Sequence, residues 1–278
     1  MESLARRTRA EVTRERIMSC EPGNDLLPMA VHLKSCSASD ALPLRVRYRE
    51  EMNCQIVHDS IHLRSGWTET YLLDIGGPAV GFASVAIDGP WKDKRTILEF
   101  YVLPECRNRA FELFEALLAT ADCKSMEVQS NDALVTVMLH TFAREIGTEK
   151  IVFRDVHTTT LPSGGAVLRC VTPAAESRAM LEERRGATEY VLDLDGEPAG
   201  QGSILYHYNL PYVDLAMEVN ESVRRRRLGS YIIQELKRAA YKLGAVPGAR
   251  CNPTNVPSRR TLQKAGMVPY ANMLVGVL

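Results

Sequence analysis

Four consecutive arginines, Arg224 to Arg227, run directly into Leu228, Gly229 and Ser230. Leu228, Ile232, Leu236, Ala239, Ala240 and Leu243 then recur with helical spacing, which predicts an amphipathic helix that stops at Gly244. The preceding VDLAMEV, residues 213–219, alternates like a strand. A strand ending at Val219 therefore turns sharply into a helix near residue 226. The first turn of a helix offers backbone N–H groups without intrahelical partners and a partial positive charge, so an anion is stabilised there. Gly229 lacks a Cβ and would let an anion approach the backbone, with the arginines adding attraction.

A solvated charged face is the plainer reading of four arginines. Gly229, the strand before it and a second motif downstream favour the anion cradle instead. It is not a nucleotide P-loop or a dinucleotide fingerprint, because GxxxxGK[ST] and GxGxxG are both absent. The second motif is NVPSRRTLQKAGM, with Asn255, Ser258, Lys264 and Gly266. Together with Val219, Arg224 and Gly229 it resembles the GCN5-related N-acetyltransferase (GNAT) superfamily, clearly over about 187–270 and faintly over about 60–155.

The resemblance implies an α/β fold with a mixed sheet and a function: transfer of an acetyl group from acetyl-CoA to a primary amine of a small molecule by direct attack. It implies that Met217, Val219, Arg224, Arg225, Arg226, Arg227, Leu228, Gly229, Ser230, Asn255 and Ser258 contact the coenzyme. The first glycine position of the family pattern holds Arg227, whose side chain must point away from the phosphates or fold over them. The tyrosine that many relatives use to protonate the leaving thiolate is replaced by Leu262, and some relatives use the serine that matches Ser258. Helix capping is the other expectation for Ser258. The amine must lose a proton, its free pKa being near 10. Glu218, beside Val219 on the motif strand, is the expected base, with a surface salt bridge as the plainer alternative. His207, between Tyr206 and Tyr208, is a second candidate. The strand position before Asn255 where some relatives carry a catalytic glutamate holds Arg250. Cys251 has no evident partner to make it an acyl carrier. The rival reading is a non-catalytic CoA-binding or scaffold protein of the same fold.

The elements that must hold these residues occur twice. Tyr71, Leu73, Asp74, Gly77, Gly81 and Ser84 reappear 119 residues later as Tyr190, Leu192, Asp193, Gly196, Gly200 and Ser203. With a two-residue slip, Val102 and Arg107 match Val219 and Arg224. Each set opens with a hairpin, then strand, helix, strand, helix and strand. The expected organisation is an arm at 1–40, a degenerate GNAT-like domain at 41–156 and an acetyltransferase domain at 157–278. In the first copy the cradle glycines are replaced by Ala110 and Glu112, and a carboxylate there repels a pyrophosphate, so this copy is expected to have lost the coenzyme. Helical spacing is also expected over Ala41–His62 and in ALVTVMLHTFAREIG, and strands around Val167–Val171 should complete the second sheet.

The chain has 278 residues and equal numbers of acidic and basic side chains. Zero net charge, with no aromatics interleaved among the arginines, argues against a nucleic-acid partner. No apolar run approaches the roughly 20 residues that span a bilayer. Seven scattered cysteines without a CxxC pair suggest reduced thiols and a cytoplasmic protein. The six histidines are dispersed, and His58 and His62, though spaced i,i+4, lack further ligands, so no metal is expected. The sequence leaves the oligomeric state open.

Overall fold

The computed structural model describes residues 30–278, and residues 31–278 form one compact unit. The first half runs β1 (His32–Cys36), α1 (Leu42–Met52), β2 (Thr68–Asp74), β3 (Ala79–Ala86), β4 (Thr96–Val102), α2 (Ala110–Ala121), β5 (Ser125–Gln129), α3 (Ala133–Phe142) and β6 (Arg144–Asp155). The second repeats that order: β7 (Ala166–Cys170), α4 (Ala174–Glu183), β8 (Ala187–Leu194), β9 (Glu197–Leu205), β10 (Tyr212–Val219), α5 (Leu228–Lys242), β11 (Val246–Cys251), α6 (Val256–Lys264) and β12 (Met267–Val277). Twelve strands join one mixed sheet in the order β1-β2-β3-β4-β5-β12-β6-β11-β10-β9-β8-β7.

The repeat extends to the register. Leu73 pairs with Gly81 and Leu192 with Gly200, and each hairpin bulges at the next residue, before Asp74 and Asp193. The repeated glycines serve one purpose. A Cβ on Gly81 would lie 2.2 Å from the Tyr101 carbonyl oxygen, and one on Gly200 would lie 2.6 Å from that of Glu218. The guanidinium that follows each motif strand also does the same work: Arg107 Nε donates to the Val102 carbonyl at 3.0 Å and Arg224 Nε to the Val219 carbonyl at 3.1 Å.

The halves exchange their last strands. β12 pairs with β5 of the first half, and β6 with β11 of the second. Phe153 of β6 accordingly joins the second-half core around Ile232 and Leu236, while Leu274 of β12 packs on the first-half core around Leu113 and Phe114.

Several elements differ from the sequence expectations. The expected arm overlaps an edge strand, since residues 32–36 are β1; its earlier part lies outside the described residues. α1 ends at Met52 because Asn53 turns left-handed (φ 44°), so 41–62 is not one helix. The chain then runs as a strap whose backbone is held by side chains. Asn209 accepts from the Ile56 N–H at 2.6 Å and donates to the Cys54 carbonyl at 3.0 Å. Gln129 accepts from the Val57 N–H at 2.7 Å and donates to the Gln55 carbonyl at 3.0 Å. α3 ends at Phe142 rather than at Gly147: Arg144 onward is claimed by pairing with β12, and tertiary pairing overrides helical spacing. The expected strand near Val167 is β7, hydrogen-bonded to β8 at the sheet edge.

Candidate active site

β10 and β11 run parallel from Tyr212 and Val246 only as far as Leu215 and Ala249, then part. Beyond Leu215, β10 has no ladder partner on its β11 side. A cavity of about 330 Å³ opens in the gap, lined among others by Ala216, Met217, Cys251, Asn255 and Ser258. The amino end of α5 follows β10 through one short 3-10 turn at Glu221–Val223. No side chain caps α5, whereas Asp132 and Asn255 cap α3 and α6 by accepting from Val135 and Ser258 amides. The helix starts at Leu228, where its apolar stripe begins and two residues past the expected turn near residue 226, because Arg225 and Arg227 turn left-handed (φ 67° and 69°). Arg227 thus adopts the backbone conformation that a glycine in its position would take freely.

The cradle residues separate into two groups. Arg224 is turned back on the strand and also pairs with Glu221 at 2.9 Å, so it braces the turn. Arg225, Arg226 and Arg227 are exposed and have no ion pair among the described residues. Leu228 and Ser230 are buried, and the Ser230 hydroxyl donates to the Thr261 carbonyl at 3.2 Å, so both serve packing. Gly229 also has a packing reason: a Cβ there would meet Met217 at 3.2 Å and Thr261 at 3.3 Å, so its bareness seats α5 against β10 and α6.

Ser258 is not the α6 cap, which is Asn255. Its hydroxyl instead stands beside the Cys251 thiol; burial pushes that thiol up, with the Ser258 contact opposing. A thiol kept protonated is a poor acyl acceptor. Leu262 is buried in the core beside α5. Val219 packs partly on the same core. Glu218 is exposed, accepts from Gln201 Nε2 at 3.2 Å, and lines neither this cavity nor the larger one beside it.

The larger cavity, about 540 Å³, lies over the middle of the sheet and shares Arg250 with the first. Its floor carries Glu127 of β5 and Val275 of β12, which are paired directly in register, and Arg250 of β11. Its cover comes from the strap and from the β3–β4 connection: His58, Arg64, Trp67 and Trp91. Each half therefore contributes to one cavity.

Two carboxylates, Asp214 buried and Glu127 largely so, orient imidazoles on its wall. Asp214 lies 3.2 Å from His207 Nε2 and 3.1 Å from the Arg250 guanidinium, which is itself 3.1 Å from that nitrogen. Burial pushes the Asp214 carboxyl up, but the His207 hydrogen bond and the Arg250 charge outweigh it and hold it below its usual range. Glu127 lies 2.9 Å from His58 Nε2 and accepts from the Trp91 indole at 2.9 Å. Burial opposes its charge, and His58 and Trp91 together bring it well below the carboxylate norm. Sequence reasoning missed His58 and Glu127 because they are 69 residues apart in a half set aside as degenerate. The i,i+4 spacing of His58 and His62 misleads, since His62 turns to Glu99 at 2.7 Å.

The first half has the same parting of strands. β4 and β5 pair only at Thr96/Ser125 and Ile97/Met126. Here Tyr48 of α1 fills the gap, 5.6 Å from the Tyr101 ring, with its hydroxyl turned toward Asp132. Arg107 pairs with Glu51 of the same helix at 2.7 Å, and the first turn of α2 carries Glu112, paired with Arg109.

Residues 156–267 match the family model described as the acetyltransferase (GNAT) family. No curated protein matches the chain. Among solved structures, a GNAT-family acetyltransferase from Colwellia psychrerythraea is similar over 89% of this chain and 99% of its own, with 16% identity and a TM-score of 0.66. A GCN5-related N-acetyltransferase from Sphaerobacter thermophilus is similar over 89% and 95%, with 14% identity and a TM-score of 0.56. A tandem GNAT protein of the clavulanic acid biosynthesis pathway is similar over 90% and 98%, with 15% identity and a TM-score of 0.55. Residues 156–267 thus match the GNAT family, in a chain whose whole sheet has the fold of a tandem GNAT protein.

Proposed function

We propose that this protein acetylates a small-molecule primary amine with acetyl-CoA, that the second half binds the coenzyme, and that both halves wall the acceptor cavity. The observation that carries this reading is the junction at Arg250: one residue lines both the gap beside the unpaired edge of β10 and the larger cavity over the sheet. The pyrophosphate would lie at the uncapped amino end of α5, met by backbone N–H groups and the unpaired Arg225, Arg226 and Arg227. The pantetheine would follow β10 past Met217, where backbone donors polarise the thioester carbonyl. Asn255 and Ser258 line the opposite wall.

The amine nitrogen attacks the carbonyl carbon, the C–S bond breaks, and an amide and CoA result. Ser258 is assigned the hydrogen bond to the departing sulfur. The proton from the amine is assigned to His207, backed by Asp214, rather than to Glu218, because His207 lines the acceptor cavity and Glu218 does not. Direct attack is favoured over an acyl-cysteine by the raised pKa of Cys251. The first half is read as a copy that has lost the coenzyme, with Tyr48 filling its gap and Glu112 standing where a phosphate would.

Calorimetric titration of acetyl-CoA tests the binding part. One site per chain is expected in the wild type, weakened at least tenfold by Arg225→Glu/Arg226→Glu. Two sites would overturn the assignment of the first half, and an unchanged affinity would overturn the cradle. Turnover with an amine panel tests the chemistry. His207→Gln should lower kcat by about 10²-fold with KM little changed. Binding of CoA without turnover of any amine would favour a non-catalytic CoA-binding protein.

A further inference from the structure

The charges of the larger cavity do not cancel locally. Arg250 is paired with Asp214, and Glu127 with His58. Two lining cations, Arg64 and Lys94, have no carboxylate partner among the described residues. Arg64 instead stands over the Trp67 ring, 4.4 Å from its centroid, which holds the guanidinium without neutralising it. Trp67 is itself held in place, because its ring fills the space where Gly89 lacks a side chain, and Gly89 keeps a left-handed φ of 62° there. On the floor, Glu127 is largely buried, and Glu149, 3.6 Å from Lys150, lines the cavity with it.

Acidic groups on the sheet and unpaired cations on the cover describe a cavity for a ligand with charges of both signs. A simple alkylamine would satisfy the floor and leave Arg64 and Lys94 with nothing to bind. An amine that also carries a carboxylate satisfies both: its nitrogen rests toward Glu127 and Glu149, and its carboxylate meets Arg64 and Lys94. A planar guanidinium suits bidentate carboxylate binding. Trp67 and Trp91 supply apolar wall for the ligand body, and the volume of about 540 Å³ is within the range of small-molecule sites. We propose that the acceptor is an amino acid-like molecule, an amine bearing a carboxylate on an apolar body, and that Arg64 and Lys94 select for the carboxylate. This rests on the reading that the larger cavity receives the acceptor.

Matched pairs differing only in the carboxylate test it: phenylalanine against 2-phenylethylamine, tryptophan against tryptamine, and leucine against isoamylamine. Each is titrated calorimetrically into the CoA-saturated full chain, and each is assayed with acetyl-CoA. At least one carboxylate-bearing member should bind tenfold or more tighter than its partner, with a matching difference in KM. In Arg64→Ala/Lys94→Ala that ratio should collapse toward one. Both side chains are exposed, so their removal spares the core. Equal binding within every pair, no binding of any member, or a ratio that survives the double substitution overturns the inference. A carboxylate preference without turnover would leave the inference standing and overturn the transfer reaction instead.

Discussion

Asp132 and Asn255 hold equivalent places, each capping the helix that follows the fifth strand of its half. They differ in charge, and burial makes the difference matter. Burial pushes the Asp132 carboxyl up to about 6, although the Val135 amide and the Tyr48 hydroxyl favour its ionised form. A carboxyl with a raised folded pKa costs stability when ionised. The cost is absent below the ordinary aspartate value of 3.8, grows as pH rises toward about 6, and is fully present above it. Asp132→Asn keeps the cap and removes the charge, as Asn255 does in the other half. It should stabilise the protein by about 2–3 kcal/mol at pH 8 and have no effect below pH 4, measured by urea denaturation across that range. A stabilisation independent of pH would refute the linkage. At this scale the sequence was readable where a residue acts through its backbone neighbourhood. Gly229, Arg224 and Asn255 all sit at the strand–turn–helix that their spacing indicates. The reasons were less readable: Gly229 packs against Met217 and Thr261, and Asn255 rather than Ser258 is the cap. Nearness in sequence to the motif points to Glu218, but the fold turns it toward Gln201.

Elements formed by short-range periodicity came out of the sequence well, because hairpin glycines and helical stripes are local signals. α2, α5 and the two repeated hairpins lie close to where those signals put them. The strap at Cys54–Val57 did not, because its backbone is satisfied by side chains 72 to 155 residues away. No local pattern records such partners. Asn209 and Gln129 act as a substitute strand, and they hold His58 over the cavity. Asn209→Ala would leave the buried Ile56 N–H and Cys54 carbonyl unpaired, at about 1–3 kcal/mol each. A loss of about 2–5 kcal/mol is expected in chemical denaturation, along with poorer acceptor KM through displacement of the strap. A loss below about 1 kcal/mol would mean that water replaces the side chain and the strap is not held as described.

The whole molecule is more than two copies placed in series. The repeat at an offset of 119 residues was legible, and so was the filling of the first cradle by Glu112. The exchange of β6 and β12 was not, because their partners β11 and β5 are distant in the chain and no local pattern records which neighbour a final strand takes. The exchange sends Phe153 into one core and Leu274 toward the other. A second tie is electrostatic. Buried Asp59 accepts from Arg45 at 2.9 Å and Arg49 at 2.8 Å, both on α1, and also pairs with Arg184 beyond α4. Cutting the chain between the halves would therefore not release two domains. Residues 157–278 alone would lose β6, and with it the partner of both β11 and β12, exposing two strand edges beside an opened core. Such edges template aggregation. The isolated second half should be insoluble or oligomeric, and the full chain should unfold in one transition whether followed by far-ultraviolet circular dichroism or by fluorescence of Trp67 and Trp91 in the first half. A soluble, folded monomer of 157–278 that binds acetyl-CoA with the affinity of the full chain would show that the exchanged strand is dispensable and that the halves are independent domains.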